Sequence, residues 1–287
     1  MQAAQLKSPV LVLGATSLIG RFVGPVLKSV AAPALALSRS PPGDEAMPWI
    51  AADLADPDLE RLLPRCPTVL SLSPIWVLPK ALPALKAAGM ERLVAFSSTS
   101  VFTKQASPSA YERGVVKALA DGEAQTIAFC EASGVAWTIL RPTMIYAEGQ
   151  DQNVSRLARL IRRFGVLPLA GRGEGRRQPV HAADLAQGAV AAAASPSAAN
   201  RAYDLPGGET LTYRQMAERV FAALGRKPRI ISAPPAVWRL GLALASPLLP
   251  GATAAMGGRM SEDLVFDGDP ARRDFGWTPR PFRPDFS

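Results

Sequence analysis

The chain of 287 residues is 48% hydrophobic, enough for one large α/β domain, alone or with a small appendage. Its 32 Lys and Arg against 24 Asp and Glu give a formal net charge of +8, which favours anionic ligands such as nucleotides or an acidic surface; no basic run interleaved with aromatics points to nucleic acid. Two isolated cysteines, Cys66 and Cys130, and a single histidine, His181, offer no metal-ligand spacing and no G-x-S-x-G elbow, so no metal is expected and a reduced, cytoplasmic protein is.

Residues 1–8 lack the charged-then-apolar layout of a signal peptide. Val10-Leu11-Val12-Leu13 then reads as a strand buried on both faces, followed by a glycine turn and a helix over residues 18–30. Gly14 can turn sharply as the strand ends, and Gly20 lets the helix pack closely on the sheet. The helix N-terminus offers unpaired N–H groups and a positive dipole end to a pyrophosphate. Gly14, Thr16, Ser17, Leu18, Ile19 and Gly20 are therefore the expected cofactor turn, with a plain structural turn as the alternative. Ser17 occupies the middle glycine of the G-x-x-G-x-x-G form, and its hydroxyl can donate a hydrogen bond in return for the crowding of its Cβ.

The next strand, residues 34–37, ends in Ser38-Arg39, about 20 residues after the turn, where an acid selects the ribose of NAD and an arginine accommodates the 2′-phosphate of NADP. Arg39 thus points to NADP over NAD; a solvated loop arginine is the alternative. After a Pro/Gly loop over 40–43, strand and helix patterns alternate, as in a parallel sheet with covering helices. Residues 49–52 form a short element ending in Asp53-Leu54, 68–72 a strand, and 76–88 a helix closed by Gly89. A strand over 92–96 runs into Ser97-Ser98-Thr99-Ser100. Ser109-x-x-Glu112 has capping-box form and opens a long helix to Ser133-Gly134. Residues 135–140 are a further strand before Arg141-Pro142.

The second half changes character. Residues 154–164 read as a helix whose basic stretch, 156–163, is its wet face. A glycine-rich basic loop spans 171–178, and Asp184 is the expected N-cap of an alanine-rich helix. A strand over 202–205 precedes Thr212-x-x-Gln215, a second capping box that opens a helix to Leu224. Beyond about residue 228 there is no parallel-sheet rhythm. The apolar stretch 240–249 is too short to span a bilayer, which takes roughly 20 apolar residues; it reads as a buried or partner-facing helix, with peripheral membrane contact the alternative suggested by Trp238 and Arg239. The fold class expected is α/β: a Rossmann-like, doubly wound parallel sheet in one domain over 1–287, with residues about 145–175 and 205–287 forming a small substrate lobe.

Six motifs in order resemble the extended and atypical short-chain dehydrogenases/reductases, in particular the NAD(P)-dependent epimerase/dehydratase group. They are Gly14 to Gly20, Ala52-Asp53-Leu54, Phe96 to Phe102, Leu140 to Tyr146, Val180 to Leu185, and Asp267 to Pro279. The resemblance implies that Asp53-Leu54 contacts adenine, that Pro142 lines the nicotinamide side, and that Thr99 helps hold a small-molecule substrate. Gly171-Arg172-Gly173 followed by Arg177 and Val180-His181 is similar to the loop whose arginine grips the phosphates of a nucleotide sugar; a basic surface loop is the alternative. His181 itself reads as a satisfied core histidine.

One departure stands out. The family's Tyr-x-x-x-Lys pair needs residues four apart on one helix face, and alignment on Glu123 and Leu140-Arg141-Pro142 puts Val115 and Leu119 there. Tyr111 and Lys117 are six apart and fall on opposite sides of a helix. Two functions follow: an NADP-dependent oxidoreductase or epimerase with Thr99 and Tyr111 as candidate catalytic groups and Thr99, Tyr146 and Arg177 on the substrate, or a non-catalytic NADP-binding regulatory or accessory protein.

Overall fold

A computed structural model describes residues 6–41, 47–234 and 260–286. Strands β1 (Val10–Leu13), β2 (Ala34–Ser38), β3 (Trp49–Ala51), β4 (Thr68–Ser71), β5 (Arg92–Phe96), β6 (Ala136–Pro142) and β11 (Arg201–Leu205) form a seven-stranded sheet in the order β11-β6-β5-β4-β1-β2-β3. Every pairing in it is parallel. All four residues of β1 and all five of β5 are buried, as apolar runs between two helical layers require, with Arg92 at the start of β5 held by the Ala192 carbonyl and Thr138. The order reverses beside β1, which places the crevice for a ligand at the carboxyl ends of β1 and β4.

One face is covered by α1 (Gly20–Ser29) and α7 (Ala182–Ala194), which pack on each other. Val23 and Leu27 of the first and Leu185 and Ala189 of the second share a core with Val10, Val12 and Val94. The other face is covered by α2 (Leu59–Leu62), a 3-10 segment (Ile75–Lys80), α3 (Leu82–Ala87) and α5 (Ala110–Ser133). The helix expected over 76–88 is divided in this way because Pro79 lies inside it and cannot donate to an α-helical ladder.

A second lobe stands over the strand ends, built from β7 (Ile145–Tyr146), α6 (Val154–Phe164), β8 (Leu167–Ala170), β9 (Arg176–Arg177), β10 (Val180–His181), β12 (Leu211–Thr212), α8 (Tyr213–Ala223) and β13 (Ile230–Ala233). A short α4 (Ser100–Thr103) follows β5, and α9 (Asp269–Phe275) lies near the carboxyl end. The lobe has its own core around Tyr146, Leu157, Ile161, Phe221 and Phe282. Here the sequence expectations need correcting. β13 pairs in parallel with β8, although no parallel rhythm is evident after 228, because a four-residue strand carries too little periodicity to read. The basic loop contains β9, antiparallel to β12. The stretch 240–249, with its possible membrane contact, lies outside the described residues.

Caps account for the remaining differences. At α1 the helix starts at Gly20 rather than residue 18, because Ser17 Oγ accepts the Gly20 N–H at 3.1 Å and holds residues 18–19 in a turn. The N-cap of α7 is His181, whose Nδ1 accepts the Ala183 N–H at 3.0 Å; Asp184 lies in the first turn and receives Arg280 instead. Thr212 and Gln215 form the full reciprocal capping box. At Ser109 only half of it forms, since the Glu112 carboxylate turns to Ser107 and Lys104.

Candidate functional site

The turn after β1 is closed by contacts that leave no room for side chains. Gly14 has φ +74°, and a Cβ there would lie 2.7 Å from the Ser73 nitrogen. A Cβ on Gly20 would lie 2.4 Å from the carbonyl oxygens of Gly14 and Ala15. Beside this cradle the amides of Leu18 and Ile19 have no acceptor among the described residues, so they are free for an anion at the head of α1. Thr16 is exposed at the tip, and Ser17 still has its hydroxyl proton to donate. The residues present fit a dinucleotide.

At the end of β2 the Ser38 hydroxyl closes a turn onto Ser40. Arg39 is largely exposed, its Nε 3.9 Å from the Asp53 carboxylate. Asp53 also accepts the Ala55 N–H at 2.9 Å, while Leu54 packs against the core beneath. Pro142 is buried, and its carbonyl accepts both the N–H and the hydroxyl of Thr99, at 3.2 and 3.1 Å. That bond fixes Thr99 at the junction of β5 and β6.

From this junction a cavity of about 750 Å³ opens into the lobe. Leu18, Ser98, Thr99 and Thr143 line its inner end, while Arg177, Gln178 and Tyr213 line one flank. One face of α6 supplies Asn153 (at its N-cap), Arg156, Leu157, Leu160 and Phe164. The cavity thus brings together Leu18 of the cofactor turn with Thr99 and Arg177. Tyr146 and Tyr111 are not among its lining residues. Tyr146 is buried in the lobe core, edge-on to His181 and Phe282. Tyr111 is 81% exposed, because the register of α5 turns Val116, Leu119 and Glu123 inward instead. At the dyad positions Val115 packs against the sheet-face core and Leu119 lies within it.

Arg177 is only 3% exposed. Its Nη1 donates to the carbonyls of Arg176 and Glu262 at 2.7 and 2.6 Å, and its guanidinium lies over the Tyr213 ring. Burial pushes the Tyr213 phenol pKa up, against the opposing pull of Arg177 and Arg156. Sequence reasoning missed Lys104, Thr143, Arg156 and Tyr213. For α6 a signal was present: positions 153, 156, 157, 160 and 164 recur at helical spacing. The wet-face reading holds for Arg159, Arg162 and Arg163, which are exposed, but not for the half-buried Arg156.

Around the site, ionisable groups are paired. His181 donates from Nε2 to Glu148 at 3.1 Å, the tautomer fixed by the amide bonded to Nδ1; it is a satisfied buried histidine. Burial opposes ionisation of Glu148, yet the hydrogen bond and charge of His181 together with backbone amides outweigh it and hold the carboxyl below its ordinary value. Arg141 grips Glu123 through Nε and Nη2 and lies 4.9 Å over the Phe102 ring. Asp204, whose Oδ1 has no partner among the described residues, is raised by burial, with Arg141 opposing. Both cysteines are buried thiols, and burial pushes Cys130 up to about 12, so neither is a nucleophile. Among the described residues no cluster of His, Cys, Asp or Glu could hold a metal ion, and no helix is long and apolar enough to cross a membrane.

A strand-turn-helix cradle at the switch point, with a cavity opening from it, defines a nucleotide-dependent Rossmann-type protein. The family model of the NAD dependent epimerase/dehydratase family matches residues 80–205. The 2-alkyl-3-oxoalkanoate reductase of Stenotrophomonas maltophilia is 30% identical over 222 residues, covering 69% of this chain and 66% of that protein. The NAD(P)H azoreductase of Xenophilus azovorans is 30% identical over 239 residues, covering 78% of this chain and 76% of that protein. The chain belongs to the NAD dependent epimerase/dehydratase family. Its fold is shared with the UDP-glucose 4-epimerase of Thermotoga maritima, solved with UDP-glucose, at a TM-score of 0.73 and 16% identity over 94% of this chain and 93% of that one.

Proposed function

We propose that the protein is an NADP-dependent oxidoreductase that reduces the carbonyl of a substrate seated in the cavity. The observation that carries this reading is that one cavity runs from Leu18 in the cofactor turn, past Thr99 at the strand ends, into the lobe. Two curated relatives named as reductases support it. The cradle of Gly14 and Gly20, the amides of Leu18 and Ile19, and Ser17 would hold the pyrophosphate. Ser38 and Arg39 would hold the 2′-phosphate, Asp53 and Leu54 the adenine, and Pro142 the nicotinamide side. When bound, the cofactor supplies the hydride.

What the chain adds is orientation and a proton. Thr99 donates to the Pro142 carbonyl, which leaves its lone pairs toward the cavity, so it positions a hydroxyl or a protonated head. The Ser98 hydroxyl accepts the Ser100 N–H and keeps its own proton. Lys104, in the cavity wall and 3.5 Å from Glu112, is a charged donor close in sequence to Thr99. Ser98 and Lys104 would stabilise a developing alkoxide less efficiently than a tuned Tyr-Lys pair. The buried thiols suit a cytoplasmic location.

The test is NADPH oxidation against a panel of ketones, aldehydes and oxo acids, with dissociation constants for both cofactors. Binding of neither cofactor at millimolar concentration overturns the reading. A second reading, epimerisation of a nucleotide sugar, is favoured by Arg177, which lines the cavity at the position the family loop implies. Binding of UDP-glucose that is lost in Arg177→Ala would select it.

A further inference from the structure

We infer that the lobe half of the cavity is a tail site, and that the substrate is an amphiphile with an anionic head and an unbranched hydrocarbon tail. This rests on the oxidoreductase reading for the chemistry but on the cavity alone for the ligand. The residues of the α6 region that line the cavity, Asn153, Arg156, Leu157, Leu160 and Phe164, form a wall about 16 Å long at 1.5 Å per residue. The wall has a direction. At its start Asn153 donates to the Ile145 carbonyl, beside the cavity residues Thr143 and Met144 and near the strand ends. At its far end Phe164 leads into Val166, Leu167, Pro168 and Leu169, which also line the cavity. Met216, Met260 and Leu264 also line the cavity, Met260 beside Ala170 at the end of β8. Polar groups are thus concentrated at the inner end and flank, and the lobe end is aliphatic.

Charge selects the head. Lys104, Arg156 and Arg177 line the cavity against one lining carboxylate, Asp151, with the Glu112 carboxylate 3.5 Å from Lys104, which leaves one positive charge in excess. Asp151 is buried and engaged by the Ser155 hydroxyl and by the amides of Asn153 and Ser155. An anion at the inner end therefore meets a net positive wall. A nucleotide sugar fits this arrangement poorly. Its phosphates and hydroxyls would lie against Leu160, Leu167 and Met216, losing water without gaining partners. A hydrocarbon tail along the same wall gains from burial what a diphosphate would lose.

The test uses the full chain, with and without saturating NADP, and calorimetry of octanoate, decanoate, dodecanoate, decanol and UDP-glucose. Affinity should rise roughly fourfold per added methylene until the cavity is filled, and decanoate should bind at least tenfold tighter than decanol. Leu160→Gln, in the wall, and Phe164→Ser, at an exposed position that tolerates change, should both flatten the chain-length series while leaving NADP affinity unchanged. Arg156→Gln should shrink the gap between decanoate and decanol. A flat chain-length series in the folded wild type, or UDP-glucose binding tighter than every carboxylate, would overturn the tail site with cofactor binding intact. A steep series in a protein that binds neither cofactor would support the tail site and overturn the oxidoreductase reading instead.

Discussion

Leu119 decides whether the family's proton-transfer pair can be restored by substitution. It is 5% exposed and belongs to the core between α5 and the sheet. A lysine there buries an ammonium with no partner, which costs about 3–5 kcal/mol. Leu119→Lys, alone or with Val115→Tyr, should therefore lower the denaturation midpoint and give no new turnover; gain of turnover at unchanged stability would show that α5 turns a different face to the site. Arg39 is the other residue whose role is chemical. Its one ion pair among the described residues, to Asp53 at 3.9 Å between exposed groups, is weak, so the guanidinium is available to a phosphate. Arg39→Ala should weaken NADP binding about ten- to a hundredfold and leave NAD unchanged, the worth of a charge-assisted contact. Equal losses for the two cofactors, measured by calorimetry, would remove Arg39 from the 2′-phosphate.

Among the elements, α7 shows how local chemistry and sequence legibility part company. The helix itself could be read from its alanines, yet its cap is the buried His181, held by Glu148 from a loop 33 positions earlier, which no window of sequence reveals. Glu148 is ionised more readily in the fold than in the unfolded chain because the His181 bond and the backbone amides around the carboxylate together outweigh burial. A carboxylate with a lowered folded pKa stabilises above its ordinary value, about 4.3, and that contribution disappears as pH falls through the folded value. Glu148→Gln should therefore cost roughly 1.5–3 kcal/mol at neutral pH and flatten the loss of stability below about pH 4. An unchanged acid limb would show that the pair is not what holds α7. The parallel strands were legible for the opposite reason: buried on both faces, β1 and residues 93–96 of β5 are written as uninterrupted apolar runs, and Gly14 and Gly20 mark the turn by what a Cβ would strike. The lobe was not. Arg156 looks like its exposed neighbours, and only the packing of α6 over the strand ends puts it in the cavity wall.

At the scale of the whole molecule, the last described segment ties sheet and lobe together. Trp277 sits in the core under α7, and Phe282, five residues on, sits in the lobe core edge-on to Tyr146. Between them Arg280 binds the Asp184 carboxylate through its amide and its Nε. Trp277 is further fixed by an indole bond to the Pro206 carbonyl at 3.1 Å. The ring lies so close to α7 that a Cβ at Gly188 would be 2.6 Å from Cζ3. Trp277→Ala should cost about 3–5 kcal/mol, and Gly188→Ala about 1–3 kcal/mol by overpacking. The two losses should not add. Once the indole is gone the new methyl has room, and alanine is favoured over glycine inside a helix by roughly 0.5–1 kcal/mol. The double variant should thus be no less stable than Trp277→Ala alone, an interaction energy above about 1 kcal/mol in a double-mutant cycle. Urea denaturation of the four proteins measures it. If the losses simply sum, Gly188 and Trp277 do not touch in solution, and the carboxyl-terminal segment does not join the two halves as described.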